Sequence, residues 1–373
     1  MAEEKIRILH MTPMDINNGV YRYIFNHMCY MDRQKYQFAF LTRGADKLRR
    51  TQEYQEYRFP IHMLHYTQRD GEEGLRKEIV NILEEGYDAI HLHTSSWRGF
   101  LIEQIAMKAG TGQVIVHSHS TGIDVVDDAE RDKQIEEHRR YRSQFSMEYA
   151  TDLCACSGLA ADWLFGSGIP KNQIRILPNA IDVKKYHFQP SKRQMFRASL
   201  NLENRIVVGN MGRYSYQKNQ MFLLRAFAKA HVRNKFLFLL CLGEGILLND
   251  MKKLIQELNI EDSVLCMKWQ EHAEDYLQAM DMFCLPSRFE GLPISVIEAQ
   301  AAGVKCLVSD RVTEEVKITD LVTFLPLEEE YWVEEMTKCQ IDVYRDRRDE
   351  EIAIAGYDIR IAAERLGKLY HKK

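Results

Sequence analysis

The sequence predicts an α/β protein of two domains, each built on a parallel sheet covered by helices. Its 373 residues exceed what one ordinary hydrophobic core accommodates. Apolar residues make up 45% and charged residues 28% of the chain, which is the composition of a folded protein. Short β-rich apolar runs repeatedly end in polar turns and lead into segments of helical period. We therefore expect two Rossmann-like domains facing a central cleft.

Ten apolar runs are predicted as strands, five in each half of the chain. In the first half they are 6–11, 38–42, 89–93, 114–119 and 152–157. In the second half they are 205–212, 236–243, 263–268, 282–287 and 305–310. Ligands of such sheets bind beyond the carboxyl ends of the strands, so the residues that follow these runs are the candidates for function.

The join between the domains is expected in PNAIDVKKYHFQP, 178–190, where two prolines and an asparagine interrupt both periodicities. We place the first domain at 1–185 and the second at 186–352. The tail, 353–373, contains YDIRIAAERLGKLY. Its helical period predicts a last helix that packs across the join.

Charge and cysteine content exclude several classes of protein. The net charge of -4 argues against nucleic acid as the partner, because binding phosphate backbones needs a basic excess. The eight cysteines are scattered apart from Cys154 and Cys156, which favours buried thiols in a reducing compartment over a metal site. No apolar run approaches the roughly 20 residues that span a bilayer, and the acidic start does not resemble a secretory signal. We expect a cytoplasmic protein.

The segment GRYSYQKN, 212–219, follows a predicted strand and carries two cations. A guanidinium that binds two oxygens, Arg213, and a compact ammonium, Lys218, together suit a diphosphate. The alternative for each is an ordinary solvated loop charge. Their position after a strand favours the diphosphate.

Two glycines, Gly243 and Gly245, end the most apolar strand of the second half. Glycine lets a ligand approach the backbone closely. The pair is equally an ordinary turn, since it lacks the third glycine of a dinucleotide fingerprint. By themselves these glycines do not decide between the two interpretations.

The segment SRFEGLPISVIEAQAAG, 287–303, places Glu290 in a loop and Glu298 in the helix that follows. Pro293 is expected as the first helical residue, and Gly303 is expected to end the helix. The two carboxylates therefore do not share one helix face.

The start of this helix predicts an anion site, because the N–H groups of Gly291 and Leu292 and the positive end of the helix dipole point the same way. A ligand with phosphates in its middle and hydroxyls at both ends would engage these groups, the two cations and both acids. A nucleotide sugar has this shape. The alternative is that Glu290 is a surface loop acid and Glu298 a solvated helix acid.

With these residues the chain resembles the retaining glycosyltransferases of family four, which have two Rossmann-like domains (the GT-B fold). The E-x7-E spacing of Glu290 and Glu298 is similar to the donor-site signature of that family. Further segments follow in the family's order along nearly the whole chain: 88–95, 114–120, 150–157, 175–182, 212–219, 279–287 and 357–363.

The resemblance implies transfer of a sugar from a nucleotide diphosphate sugar with retention of its anomeric configuration. Arg213 and Lys218 would hold the diphosphate and offset charge on the leaving group, Glu298 would bind the ribose, and Glu290 the hydroxyls of the donor sugar. Gly212, Gly243, Gly291, Leu292 and Pro293 complete the expected donor site. The resemblance also implies no metal and no cofactor, and a last helix that crosses back onto the first domain.

The family resemblance adds two features of the first domain. His119 resembles the active-site histidine near the donor sugar, with His117 as the competing assignment because it lies two residues away on the same strand face. Gly19 resembles the glycine of the first loop, which approaches donor and acceptor. His91 and His93 are expected to be structural.

The sequence thus predicts a metal-independent glycosyltransferase with a UDP-sugar as donor and a carbohydrate or lipid-linked glycan as acceptor. Trp269 stands where the family usually has a glycine close to the nucleotide base, so the choice of UDP rests on the family alone. A nucleotide-sugar epimerase and a non-catalytic nucleotide-sugar-binding protein are the alternatives. The basic segments 42–50 and 136–143 suit an anionic acceptor or peripheral contact with the inner membrane face, although we favour solvated surfaces.

Overall fold

The computed structural model describes residues 4–11, 18–67, 71–270, 272–342 and 344–371. The chain forms two compact units. The first comprises Met1–Ile123, Asp132–Asn179 and Ile359–Lys373, and the second comprises Asp124–Arg131 and Ala180–Asp358. The division at 179–180 lies six residues before the boundary that the sequence indicates, and the inclusion of Asp124–Arg131 in the second unit has no signal in the sequence.

The first unit contains a seven-stranded parallel sheet of order β3-β2-β1-β4-β5-β6-β7. Its strands are β1 (Ile6–Met11), β2 (Tyr36–Thr42), β3 (Ile61–Met63), β4 (Ala89–Thr94), β5 (Gln113–Ser118), β6 (Asp152–Ala155) and β7 (Ile174–Ile176). All five strands predicted in this half are confirmed. The two that sequence reasoning missed, β3 and β7, are three-residue edge strands, too short to show a period.

Helices cover this sheet. They are α1 (Gly19–Tyr30), α2 (Ala45–Arg49), α3 (Gln52–Tyr57), α4 (Glu72–Leu83), α5 (Leu101–Lys108), α6 (Asp128–Arg142), α7 (Gly158–Phe165) and, from the end of the chain, α16 (Ile359–Gly367). Helix α1 begins at an N-cap, because the side chain of Asn18 accepts a hydrogen bond from the N–H of Tyr21 at 2.8 Å. Helix α16 is held to the sheet by the hydroxyl of Tyr36, which donates to the carbonyl of Gly367 at 2.9 Å.

The second unit contains a six-stranded parallel sheet of order β10-β9-β8-β11-β12-β13. Its strands are β8 (Ile206–Met211), β9 (Leu237–Leu242), β10 (Val264–Met267), β11 (Met282–Leu285), β12 (Lys305–Ser309) and β13 (Val322–Leu325). The five predicted strands are again confirmed, and the edge strand β13 was missed. In this order the connections run outward in opposite directions from β8 and β11, which is the doubly wound arrangement of dinucleotide-binding folds.

The helices of the second unit are α8 (Val183–Tyr186), α9 (Pro190–Ser199), α10 (Gln220–Arg233), α11 (Leu248–Glu257), α12 (Ala273–Ala279), α13 (Ile294–Ala301), α14 (Glu329–Lys338) and α15 (Asp349–Ile352). The expectation that Pro293 is the first helical residue is wrong by one position. Pro293 is the extended N-cap, with ψ at 110°, and α13 begins at Ile294. Gly303 follows the helix with φ at +69°, a left-handed conformation that glycine adopts without strain.

A buried ion-pair cluster joins α9 to the start of β11. The carboxylate of Asp281 accepts hydrogen bonds from the guanidinium of Arg193, from Arg197 at 3.0 Å and from the N–H of Val207 at 2.7 Å. All three side chains are buried. Because buried charges are costly unless paired and hydrogen-bonded, this carboxylate fixes the helix against the sheet.

Two further predictions concern the state of the cysteines and the presence of membrane-spanning helices. All eight cysteines are free thiols, and six of them, including Cys154 and Cys156, are buried. Within the described parts of the chain, no helix has the length and apolar character needed to cross a bilayer.

Candidate functional site

Two loops that the sequence singled out leave neighbouring strands of the second unit. β8 and β11 pair in parallel, with Val208 opposite Met282 and Gly209 opposite Phe283. Both strands therefore end at the same edge of the sheet, at the point where the strand order reverses. In open α/β sheets this point is where ligands bind. The loops 212–219 and 286–293 follow directly from it.

The carboxylate of Glu290 is held by donors from both loops. Its Oε1 lies 2.7 Å from the Nζ of Lys218 and accepts the hydroxyl of Ser287 at 2.7 Å, while its Oε2 accepts the amide of Gln217 at 3.0 Å. Only 6% of Glu290 is exposed. The alternative that Glu290 is a surface acid is therefore wrong, and Glu290 and Lys218 are brought together as a charge-assisted pair.

Gln217 links the loop 212–219 to the loop 286–293 by hydrogen bonds, and the sequence did not predict this role. Its side-chain amide donates to the backbone carbonyl of Phe289 at 3.1 Å as well as to Glu290. Its backbone carbonyl accepts a hydrogen bond from the N–H of Arg288 at 2.8 Å. An uncharged residue in a polar loop carries no signal of this role. A glutamine that bridges two chain segments can be recognised only once both segments are placed.

Arg213 engages a different acid. Its Nη2 lies 3.0 Å from Oδ2 of Asp124, whose Oδ1 accepts the N–H of Gln217 at 2.9 Å. The side chain of Arg213 is 37% exposed. The structure thus places Arg213 and Lys218 on the same loop with separate carboxylate partners. Asp124, which belongs to the short segment that groups with the second unit, was not predicted.

The glycines of this site pack against each other. A Cβ on Gly243 would lie 2.0 Å from the carbonyl oxygen of Gly212, and a Cβ on Gly245 would lie 2.2 Å from that of Tyr214. Gly212 has φ at +149°, which favours glycine. The loops after β8 and β9 can therefore lie this close together only because Gly243 and Gly245 have no side chain.

Glu298 lies inside α13 and is 2% exposed, so the alternative of a solvated helix acid is wrong. Its Oε1 accepts a hydrogen bond from the hydroxyl of Tyr186 at 2.8 Å. Tyr186 ends the short helix α8 and was missed, because it lies in the segment interpreted as a join. Gly291 and Leu292 lie in the loop between β11 and α13, as expected, and Pro293 is the N-cap of α13.

The two candidate histidines of the first unit differ in exposure. His117 lies within β5 and is fully buried, whereas His119 directly follows the strand and is half-buried. The Nε2 of His119 lies 2.9 Å from the Nδ1 of His93. Burial, followed by the nearby His27, lowers the pKa of His119 to about 3, so this ring is neutral at pH 7. Gly19, predicted in the first loop, is the first residue of α1, directly after the N-cap Asn18. Residues 12–17 lie outside the described residues.

Comparison with known proteins decides the family. A family model described as Glycosyltransferase Family 4 matches residues 17–185, and one described as Glycosyl transferases group 1 matches residues 191–332. The chain belongs to the family 4 glycosyltransferases. Both the predicted family and the predicted fold of two parallel α/β units are thereby confirmed.

Two relatives of this glycosyltransferase carry informative names. It is 28% identical to the putative glycosyltransferase EpsF of Bacillus subtilis, over 99% of this chain and 96% of that protein. It is also 28% identical to the UDP-Gal:alpha-D-GlcNAc-diphosphoundecaprenol alpha-1,3-galactosyltransferase of Escherichia coli, over 61% of this chain and 59% of that protein.

Solved structures share the fold of this glycosyltransferase. Anabaena Alr3699/HepE in complex with UDP-glucose superposes with a TM-score of 0.75 at 17% identity, covering 97% of this chain and 98% of that one. WaaG, a glycosyltransferase involved in lipopolysaccharide biosynthesis, superposes with a TM-score of 0.70 at 15% identity, covering 98% of this chain and 99% of that one.

Proposed function

We propose that this glycosyltransferase transfers a sugar from a UDP-sugar to a lipid-linked diphosphate glycan, with retention of the anomeric configuration and without a metal ion. The observation that carries the proposal is the Glu290 carboxylate held by Lys218, Ser287 and Gln217 at the end of β8 and β11. The buried carboxylate and its ammonium partner, on a loop that also carries Arg213, suit a ligand that has both hydroxyls and a diphosphate.

The roles follow from the chemistry of each group. The bond from the anomeric carbon to the diphosphate breaks, and the oxygen of the acceptor hydroxyl bonds to that carbon on the same face. The leaving oxygen keeps the electron pair of the broken bond, and the proton of the acceptor hydroxyl passes to the departing diphosphate. Lys218 and Arg213 offset that charge. A carboxylate accepts hydrogen bonds from hydroxyls, so Glu290 orients the donor sugar and Glu298, with Tyr186, holds the ribose. His119 keeps its expected role as the active-site histidine, because it is the more accessible of the two candidates.

The acceptor assignment is supported by a cavity of the first unit. It has a volume of about 390 Å³ and lies where β1, β2 and β4 end, with Met11, Leu92 and Trp97 in its wall. Arg43 and Arg98 also line it, and two guanidiniums beside an apolar wall suit a diphosphate attached to a lipid. The Escherichia coli relative is named for a diphosphoundecaprenol acceptor.

The test begins with nucleotide binding. Calorimetry and thermal shift with UDP, GDP and ADP, in chelator and in magnesium, should show one nucleotide binding equally well in both. UDP-sugars are then incubated with a short-chain polyprenyl diphosphate glycan. A product whose anomeric proton coupling matches that of the donor supports the proposal.

Three results would overturn it. If no nucleotide binds, the cluster around Glu290 has another purpose. If UDP-sugar is converted to its epimer without acceptor, the protein is an epimerase. If UDP-sugars bind but neither hydrolysis nor transfer to the polyprenyl diphosphate glycan follows over days, the protein is a binding protein.

A further inference from the structure

One face of the first unit's sheet carries four histidines on three neighbouring strands, and a fifth, His119, directly follows one of these strands. β1 pairs with β4 so that His10 lies opposite His91, and β4 pairs with β5 so that His93 lies opposite His117. Because side chains alternate along a strand, these four rings and that of His119 point to the same side of the sheet. The reversal of strand order, between β1 and β4, passes through this cluster.

The imidazoles form two hydrogen-bonded rows. In one row, the Nδ1 of His10 lies 3.0 Å from the Nε2 of His93, whose Nδ1 lies 2.9 Å from the Nε2 of His119. In the other, the hydroxyl of Tyr370 lies 2.6 Å from the Nδ1 of His91, whose Nε2 lies 3.1 Å from the Nδ1 of His117. The second row ends at the Nε2 of His117.

That last nitrogen is an exception to the usual rule for buried polar atoms. The Nε2 of His117 is fully buried and has no hydrogen-bond partner among the residues that the structure describes. Such atoms are rare in folded proteins, and each calls for an explanation. One explanation is a ligand that the nitrogen binds through its lone pair.

The rings are in the form that binds metals. Burial, and then the neighbouring histidines, holds the pKa of His93 and of His117 well below the usual range. Neutral imidazole is a common ligand of transition metals. At neutral pH these rings are therefore uncharged, and a cation can bind them without displacing a proton.

The spacing of three of these rings fits a cation. One ring nitrogen from each of His93, His117 and His119 lies within 4.8 Å of the others. Tetrahedral zinc with bonds of 2.0–2.1 Å holds its ligand nitrogens about 3.3 Å apart. The 2.9 Å between His93 and His119 needs only a small opening to reach that distance.

In a second set, one ring nitrogen from each of His10, His91 and His93 also lies within 4.8 Å of the others. Its members His10 and His91 are buried, and both nitrogens of His91 already have partners. His93 and His119 are only half-buried, so a cation can reach the first set from solvent and keep a water in its fourth position.

The two rows also supply the outer contacts that metal-binding histidines need. Such a histidine usually donates its other N–H to a neighbour, which fixes the ring. The Nε2–H of His93 would donate to His10, and the Nδ1–H of His117 to His91, whose own N–H would reach Tyr370. One tautomer of each row satisfies all of these hydrogen bonds at once.

We propose that His93, His117 and His119 bind one divalent cation of the zinc class, with His10 and His91 as the outer hydrogen-bond partners. This site goes beyond the sugar transfer proposed above, whose donor groups lie in the second unit. One consequence rests on the proposed function, which assigns His119 to sugar transfer. A cation bound to the ring nitrogen of His119 occupies that nitrogen, so zinc inhibits transfer.

The test uses full-length, untagged protein freed of metal by a chelator, without nucleotide. Zn²⁺ is titrated by calorimetry and Co²⁺ by visible absorption, because the colour of cobalt reports its coordination number. We expect one Zn²⁺ per chain and the strong absorption of four- or five-coordinate Co²⁺. His93→Gln and His117→Gln should each weaken binding by roughly 100-fold or more.

The matched control is the double variant His65→Gln/His272→Gln, which removes two exposed imidazoles and should bind as the wild type does. Absence of stoichiometric Zn²⁺ binding by the wild type, or loss of it only in the control, overturns the site. If the His93 or His117 variant does not fold, the wild-type Co²⁺ spectrum decides, and a weak six-coordinate spectrum overturns the proposal.

Discussion

The Nζ of Lys218 lies 2.7 Å from the Oε1 of Glu290, and the hydroxyl of Ser287 donates to the same oxygen at 2.7 Å. The carboxylate is thereby fixed by groups from two loops that leave adjacent strands. A side chain immobilised in this way loses little freedom when a ligand binds, which is the condition for a preorganised site.

Glu290→Gln should lower kcat by about 100-fold, since the amide keeps the shape of the carboxylate and loses its charge where charge develops. UDP affinity should change by less than about threefold, because the nucleotide is held mainly by other groups. Steady-state kinetics and UDP calorimetry measure the two effects. The control is Glu334→Gln, an exposed acid paired with Lys338. An equal loss of UDP affinity and of turnover would show that the assigned role is wrong.

Lys218→Ala should weaken UDP binding by at least about tenfold, because the ammonium is assigned to the diphosphate and contributes a charge-assisted contact. Calorimetry with UDP and with uridine measures it, and uridine binding should be unaffected. Lys229→Ala is a matched control, since Lys229 also pairs with a glutamate, Glu329, at 2.8 Å on the exposed surface. Unchanged UDP binding in Lys218→Ala would remove this residue from the donor site.

Asp281→Ala should lower the free energy of unfolding by about 3–5 kcal/mol, because Arg193 and Arg197 would be left buried without their carboxylate. Urea denaturation followed by circular dichroism gives the value. Asp310→Ala removes a partly exposed carboxylate beside Arg311 and should cost less than about 1 kcal/mol. Similar losses in both variants would mean that the buried cluster adds nothing to the stability of the second unit.

His138 should make the first unit sensitive to acid. Its Nδ1 accepts the N–H of Trp97 at 3.0 Å and its Nε2 lies 3.0 Å from the carbonyl of Trp163, an arrangement that requires the neutral ring. Burial lowers the pKa of His138 to about 4, below the unfolded value of 6.5. The unfolded chain therefore binds more protons between these values, so this contribution to stability is complete above pH 6.5 and is lost as the pH falls towards 4.

The measurement compares wild type with His138→Asn at pH 7.5 and pH 5. The stability advantage of the wild type should be about 2 kcal/mol smaller at pH 5. Other buried histidines affect both proteins equally, so the difference isolates His138. If the difference in unfolding free energy between the two proteins does not depend on pH, then His138 has the same pKa in the folded and the unfolded chain.

Gly243→Ala should destabilise the second unit by about 1–3 kcal/mol and weaken UDP binding, because its Cβ would lie 2.0 Å from the carbonyl oxygen of Gly212. Gly168→Ala is the control, since a Cβ there meets no described atom within 4 Å. Thermal unfolding and UDP calorimetry measure the two effects. A stable Gly243→Ala variant with normal affinity would show that the two loops can separate without cost.

The sequence by itself determined the class of the fold, the central strands and the family. These follow from local patterns: a buried parallel strand is a run of apolar residues, and a helix that starts after Pro293 and stops at Gly303 shows its boundaries in neighbouring residues. It also placed Glu290 in a loop and Glu298 in a helix. The edge strands β3 and β7 were missed because three residues show no period.

Only the tertiary structure decided what these acids touch. Lys218 and Glu290 are 72 residues apart in the chain, and Tyr186 and Glu298 are 112 apart. The order of the strands, which no local pattern records, makes them neighbours. The same order turns five scattered histidines into one cluster. Whether a carboxylate or an imidazole is solvated or buried depends on such distant partners, because the interior stabilises a polar group only where another segment supplies its hydrogen bonds.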